Sequence, residues 1–294
     1  MLNFQPGILA PLPPAARYLA FDLVPGGDPQ GALRALQLHC DGAACVCGIG
    51  PGLVAALGRS VPGLHPFPDL SAAAVTIPAT PHTAWCWLRG DERGEVVLRS
   101  QRLVQALGPD LAAVQVVDAF VHAGGRDLTG YEDGTENPAG DAARGTAIVD
   151  GRGAGLDGSS YVAVQQWEHD FAAFDAMPPA DQDHAIGRRR SDNEELDEAP
   201  ESAHVKRTAQ ESFSPEAFVW RRSMPWADGA AAGLMFVAYG HSLEAFEVQL
   251  RRMAGIEDGI VDALFGFSRP RTGAYYWCPP CIEGRLDLRA LGLA

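Results

Sequence analysis

Arg126-Asp127-Leu128-Thr129-Gly130-Tyr131-Glu132-Asp133-Gly134-Thr135-Glu136-Asn137-Pro138 lies between two halves of this chain that repeat one order of predicted elements. The segment itself reads as neither helix nor strand. Glycines on both sides of Asp133 open backbone conformations that other residues avoid, and Asn137-Pro138 reads as a turn. Upstream, β-branched and aromatic runs and apolar spacings predict a strand at 17–24, a helix at 28–40, strands at 44–50 and 83–89, a helix at 92–107 and a strand at 114–122. Val114-Gln115-Val116-Val117 marks the last strand, while Val96, Leu103, Val104 and Leu107 share a helix face that Gly108-Pro109 terminates. Residues 51–82 read as a proline-rich insertion with a short helix near 52–58. Downstream come a strand at 160–167, helical material at 169–187, strands at 217–223 and 231–239, a helix at 242–253 and a strand near 273–278. Ser242 is the expected cap of that helix, Leu243, Phe246, Leu250 and Met253 share one face, and Gly255 stops it. Both halves read βαββαβ. The expected fold class is therefore α+β, with two ferredoxin-like domains on antiparallel sheets at 1–130 and 131–294, and 131–158 as the connecting segment.

At 294 residues, 47% hydrophobic and 20% charged, the composition is that of a soluble globular protein large enough for two cores. A formal net charge of -14 opposes binding to nucleic acid or anionic lipid, and no basic stripe offsets it. No stretch approaches the roughly 18 apolar residues of a membrane span, and Met1 to Pro14 has neither the positive charge nor the apolar run of a signal, so a cytoplasmic protein is expected. Six cysteines are too few for a disulfide framework at this length, and most are expected to be small core residues. Cys278-Pro279-Pro280-Cys281 has C-x-x-C spacing, but two prolines oppose a helix start there and no second ligand pair stands at a compatible spacing.

Asp133 is a carboxylate pre-set in direction by its loop, as proton transfer requires. None of the eight histidines pairs with another at chelating spacing, which leaves chemistry that needs one imidazole, such as axial ligation of a haem. His204 follows an acidic run, 192–201, within the second half. On the strand Phe218 to Pro225, one of the adjacent Arg221 and Arg222 should face inward, where a guanidinium needs an anion.

Gly130-Tyr131-Glu132-Asp133-Gly134 resembles the G-x-x-D-G signature of dye-decolourising (DyP-type) haem peroxidases, and Thr135-Glu136-Asn137-Pro138 extends it as in the bacterial B-type members. The likeness runs along nearly the whole chain, through Gln5-Pro6-Gly7-Ile8-Leu9, Ile186-Gly187-Arg188, His204-Val205, Arg221 with Met224-Pro225, and the ending from Thr272-Gly273 to Pro280. The resemblance implies paired ferredoxin-like halves with one haem b per chain, held mainly by the C-terminal half. It implies Asp133 as distal acid–base group, Arg221 as distal arginine and His204 as proximal iron ligand. It further implies Arg188 near a haem propionate, and Ser223 and Phe236 against the cofactor; Ser223 stands where many relatives have Asn. Asp262 is expected to accept the proximal imidazole N–H, with Asp258 as a near competitor for that role. The implied reaction reduces hydrogen peroxide through compound I and oxidises dyes, phenols or other small organic reductants by one-electron steps. A homo-oligomer is implied too, with an encapsulating shell protein as a conceivable partner. The tail Leu286 to Ala294 reads either as a docking peptide or as a closing packed segment, the latter favoured. A haem-handling, storage or iron-release protein on the same fold is the alternative reading, but a carrier needs neither Asp133 nor Arg221.

Overall fold

The computed structural model describes residues 3–70 and 75–293; residues 71–74 of the predicted insertion and Ala294 of the tail lie outside the described residues. The first half contains β1 (Ala15–Leu23), α1 (Pro29–His39), β2 (Cys45–Ile49), α2 (Pro51–Ala56), β3 (Ala84–Gly90), α3 (Arg93–Leu107) and β4 (Leu111–Phe120). The second contains α4 (Asp141–Ala147), β5 (Ser160–His169), α5 (Phe171–Asp175), α6 (Pro179–Ile186), α7 (His204–Arg207), β6 (Trp220–Arg221), β7 (Met224–Asp228), β8 (Ala231–Gly240), α8 (Glu244–Met253), β9 (Ser268–Pro270) and β10 (Ala274–Cys278).

Local chemistry accounts for the helix boundaries. The Asp28 carboxylate accepts from Gln30 N at 2.9 Å and Pro29 occupies the first turn of α1, while Glu92 caps α3 through Gly94 N and Glu95 N. In α8, Phe246, Leu250 and Met253 are buried as the apolar spacing predicts. Ser242 makes no capping bond; the helix opens from Leu243 instead. Gly255, at φ +69°, takes the left-handed conformation that ends the helix. The predicted helical stretch 169–187 is two helices, α5 and α6, because Pro178 and Pro179 cannot extend the first.

The strands form one sheet that closes on itself. Antiparallel neighbours run β8-β7-β4-β1-β3-β2-β10-β5, and β5 pairs with β8 to close the ring, with β6 extending β7 along β8 and β9 extending β10 along β5. Within each half the order is fourth, first, third, second: β4-β1-β3-β2 and β10-β5-β8-β7. The halves meet at two short seams, Ala119 opposite Trp226 and Trp277 opposite Ile49. The sheet is thus shared by both halves, and the chain is a mixed α/β structure with a closed antiparallel barrel. The predicted strand 217–223 is displaced to β6 and β7. Its register against β8 is continuous, Arg221 facing Ala238 and Met224 facing Met235, with a break at Arg222 and Ser223.

Large side chains fill the barrel's interior and the layer beneath the helices. Trp85, Trp87, Trp277, Tyr18 and Tyr276 are buried on β1, β3 and β10, and Tyr18 stacks between Trp85 and Trp87. Leu286, Leu288 and Leu291 are buried in the same core as α1 and Leu33, so the tail through residue 293 packs on the first half. All six cysteines are buried and reduced. Among the described residues no helix is long and apolar enough to cross a membrane.

Candidate active site

The loop from Arg126 to Pro138 folds back on itself before it reaches the second half. Asp127 N donates to Tyr131 O at 2.8 Å and Gly130 N to Asp127 O at 2.9 Å, with Gly130 at φ +90°. Gly134, at φ +76°, lies against the Asn137 side chain, where a Cβ would come within 2.8 Å of the amide nitrogen. This geometry presents Asp133 to a cavity that is also lined by His204, Arg221, Phe236, Phe246 and Leu250. Much of the wall surface is apolar, from side chains of β8, α8 and the segment following it, while polar and charged residues of the loop, β5 and α7 border the rest, a make-up suited to a cofactor site.

His204 opens the one-turn helix α7. Its Nδ1 lies 2.8 Å from Oδ2 of Asp262, whose side chain is fully buried and whose other oxygen accepts from Leu264 N at 2.8 Å. With Nδ1–H committed to a carboxylate, Nε2 is the ring nitrogen left for a ligand. Asp258 is engaged elsewhere. It forms a bidentate pair with Arg207, both contacts 2.8 Å, and that guanidinium holds its carboxyl below the ordinary range. Of the two carboxylates considered for the imidazole, the structure therefore brings only Asp262 to His204.

Arg221 Nη1 stands 3.8 Å from Asp133 Oδ1, both side chains mostly buried, and Arg221 Nε is buried without a hydrogen-bond partner. A cation and a carboxylate near one another at an apolar wall, with donor capacity unspent, suit a small polar reactant.

A family model described as Dyp-type peroxidase, C-terminal, matches residues 124–283, just over half of the chain and the segment that builds this site. The chain belongs to the Dyp-type peroxidase family. The dye-decolorizing peroxidase of Rhodococcus erythropolis (strain PR4) is 30% identical, with 92% of this chain and 85% of the relative covered. That of Mycobacterium tuberculosis is 29% identical over 92% and 87%. Among solved structures, a dye-decolorizing protein from V. cholerae superimposes with a TM-score of 0.86 at 26% identity, covering 98% of this chain and 99% of that one. A DypB variant from Rhodococcus jostii RHA1 in complex with heme does so with 0.85 at 26%, covering 95% and 97%.

The peroxidase brings Asp133, His204, Arg221 and Phe236 to one cavity, and places Asp262 behind His204. Arg188 and Ser223 lie elsewhere. Arg188 lines an adjoining outer cavity that shares Asp133, His204 and Arg221 with the first. Its guanidinium is already bonded to Glu136 at 2.5 Å, Glu195 at 3.1 Å and Asn193 O at 3.0 Å, so its charge is already met by two carboxylates. Ser223 does not border the large cavity. At the strand break its short hydroxyl turns back toward Val237 N, 3.5 Å away, and it lines a smaller cavity that Asp133 and Asp127 also border.

Two arrangements have no signature in a single sequence. The first is a pair of amide clamps. Asn137 accepts from Arg221 N at 2.8 Å and donates to Arg221 O at 3.1 Å, copying a strand's pairing, while buried Gln210 accepts from Val219 N and donates to Glu136 O, each at 2.9 Å. The loop that carries Asp133 is thereby laced to the strand that carries Arg221. Substitution Asn137→Ala should slow the reaction with peroxide by about tenfold, a loss of orientation worth one to two hydrogen bonds. Asn137→Asp should fall between, since a carboxylate still accepts from Arg221 N but cannot donate to Arg221 O. Stopped-flow rates for the two variants, normalised to bound cofactor, measure the difference.

The second is a buried chain, Asp127 to His169 at 3.0 Å and His169 to Ser268 at 2.7 Å, along the cavity wall. Burial disfavours the Asp127 carboxylate, yet the His169 hydrogen bond and charge, with donors from Thr129, outweigh it and hold its pKa below the ordinary value. Asp127 also anchors the turn through Thr129 N at 2.9 Å, so β5 and β9 support the Asp133 loop from below. Periodicity cannot pair positions 127, 169 and 268, and His169 reads from sequence only as the start of helical material.

Proposed function

We propose that this chain is a haem-dependent peroxidase that reduces hydrogen peroxide and oxidises small organic reductants in one-electron steps, with one haem b held mainly by residues of the second half. The observation that carries the reading is that one apolar cavity is lined both by His204, its Nδ1 on a buried carboxylate, and by the Arg221 and Asp133 pair. The residues fit the group. The cavity offers an imidazole whose Nε2 is uncommitted and broad apolar walls from Phe236, Phe246 and Leu250, and the buried Nε of Arg221 lacks a partner. The heme complex of the DypB variant supports the same assignment by similarity.

His204 would hold the haem iron, with Phe236 against the macrocycle. Arg188 would meet a propionate only while sharing its charge with Glu136 and Glu195. When bound, the haem supplies the iron that takes up peroxide and the redox capacity of the reaction. The protein's part is proton and charge management. Asp133 would accept a proton from hydrogen peroxide and return it to the oxygen that departs as water. The Arg221 cation would offset negative charge on that departing oxygen. Asp262 draws on Nδ1–H of His204, raising the basicity of Nε2 and fixing the ring's orientation. The 4-1-3-2 strand order in each half supports a division into two ferredoxin-like units, 1–130 and 131–294, although both share one barrel.

A haem carrier would require His204 but not the neighbouring arginine and carboxylate. Purified protein supplied with haem should show a Soret band and oxidise a phenolic reductant only when peroxide is added. A Soret band without peroxide-dependent turnover would favour the carrier, and no haem binding would overturn both readings.

A further inference from the structure

Four of the six cysteines lie together in the core of the first half, away from the cavity described above, and three of them converge on one point. Cys40 directly follows α1, Cys45 and Cys47 lie two residues apart on β2, and Cys86 on β3 is the cross-strand partner of Cys47. None is more than 2% exposed. The sulphurs of Cys40, Cys47 and Cys86 all lie within 4.8 Å of one another, with Cys40 and Cys86 4.0 Å apart. Cys45 Sγ lies 3.4 Å from that of Cys40, and all four thiols are free.

Buried cysteine is ordinarily a small apolar filler. Filling space does not by itself gather sulphur from a helix end and two strands to one point, because alanine or valine would occupy the same volumes. The spacing is that of coordination. Tetrahedral thiolate sites with metal–sulphur bonds of about 2.3 Å space their sulphurs about 3.8 Å apart. Three sulphurs with the 4.0 Å separation of Cys40 and Cys86 would likewise have a centre about 2.3 Å from each, and at the 4.8 Å bound about 2.8 Å, within a small side-chain adjustment of the bond length.

We propose that Cys40, Cys47 and Cys86 bind a thiophilic closed-shell cation, Zn²⁺ or Cu⁺. Soft sulphur donors without imidazole or carboxylate select these ions over the harder divalent metals. Binding forms metal–sulphur bonds, breaks S–H bonds and releases those protons to solvent, and the cation offsets part of the negative charge of the thiolates it holds. The site is enclosed by the core that contains Leu33, Leu36 and Leu88, so the ion enters before or as this core closes. Its effect is structural: it ties the end of α1 to β2 and β3.

The test is elemental analysis of the intact, haem-loaded protein purified without chelators from metal-replete medium. About one zinc or copper per chain in addition to iron is expected, and which element is found separates the two ions. Cys47→Ser and Cys86→Ser should each lose that metal and lower the melting temperature, whereas Cys278→Ser should keep it. Because a core variant can fail to fold, the unaltered protein decides. Absence of both metals, with all six thiols reactive in denaturant without a chelator, would overturn the proposal, as would full metal content in the Cys47→Ser and Cys86→Ser proteins. Neither result bears on the haem reading, which rests on iron and the Soret band.

Discussion

Arg221→Leu is expected to slow the reaction with hydrogen peroxide by about 10²- to 10³-fold, the loss that follows removal of one preorganised charge-stabilising donor. Leucine approximates the stem's volume, so the effect falls on charge rather than packing. Asp133→Ala is expected to cost less, because a water molecule can stand in for a proton shuttle more readily than for a fixed cation. The 3.8 Å separation of the pair gives the comparison an internal check. If the two groups act as a unit, the double variant should be little slower than Arg221→Leu alone, since effects of coupled residues do not add. Stopped-flow mixing with peroxide, followed by the change in haem absorbance, reads all three rates. A larger loss in Asp133→Ala than in Arg221→Leu would make the acid the chief catalyst and leave the arginine a positioning group.

Removing the imidazole should cost more than activity. His204→Ala is expected to weaken haem retention by more than about 100-fold, beyond the 10- to 100-fold typical of losing a group that merely supports a ligand. It also leaves the Asp262 carboxylate buried with Leu264 N as its remaining donor, so the apo-protein should be destabilised too. Combining His204→Ala with Asp262→Asn should recover stability without recovering haem, because the neutral amide removes the unpaired charge and supplies no ligand. Asp262→Asn alone should keep the haem at lower affinity, within the 10- to 100-fold range. Haem transfer to a scavenging apoprotein and thermal melts of the apo-forms separate the two effects. Unchanged haem retention and an unchanged ferric spectrum in His204→Ala would remove it as the ligand.

Much of the site was legible because its motifs are local. The glycines around Asp133 and the Asn137-Pro138 turn belong to one short loop, and such a loop holds its carboxylate largely by its own backbone. The same holds for β1, α1, α3, β8 and α8, whose periodicity or caps are written in consecutive residues and whose bounds differ from expectation by a few residues. Arg188 and Ser223 show the limit. Their motifs were found, but the Arg188 guanidinium is occupied by Glu136 and Glu195, and Ser223 sits at a strand break that no propensity announces.

Short-range regularity in this sequence therefore determined the element order, the loop that carries Asp133 and the inward arginine strand, since backbone preference and side-chain period act over a few residues. Tertiary structure alone decided that both halves close one barrel through single pairs such as Ala119 and Trp226, that Asp262 and not Asp258 meets His204, that Asn137 grips Arg221, and that three thiols share one point. Those outcomes depend on contacts between residues tens to more than a hundred positions apart, where the competing partners are chemically alike and only the packed chain brings one of them within hydrogen-bond distance.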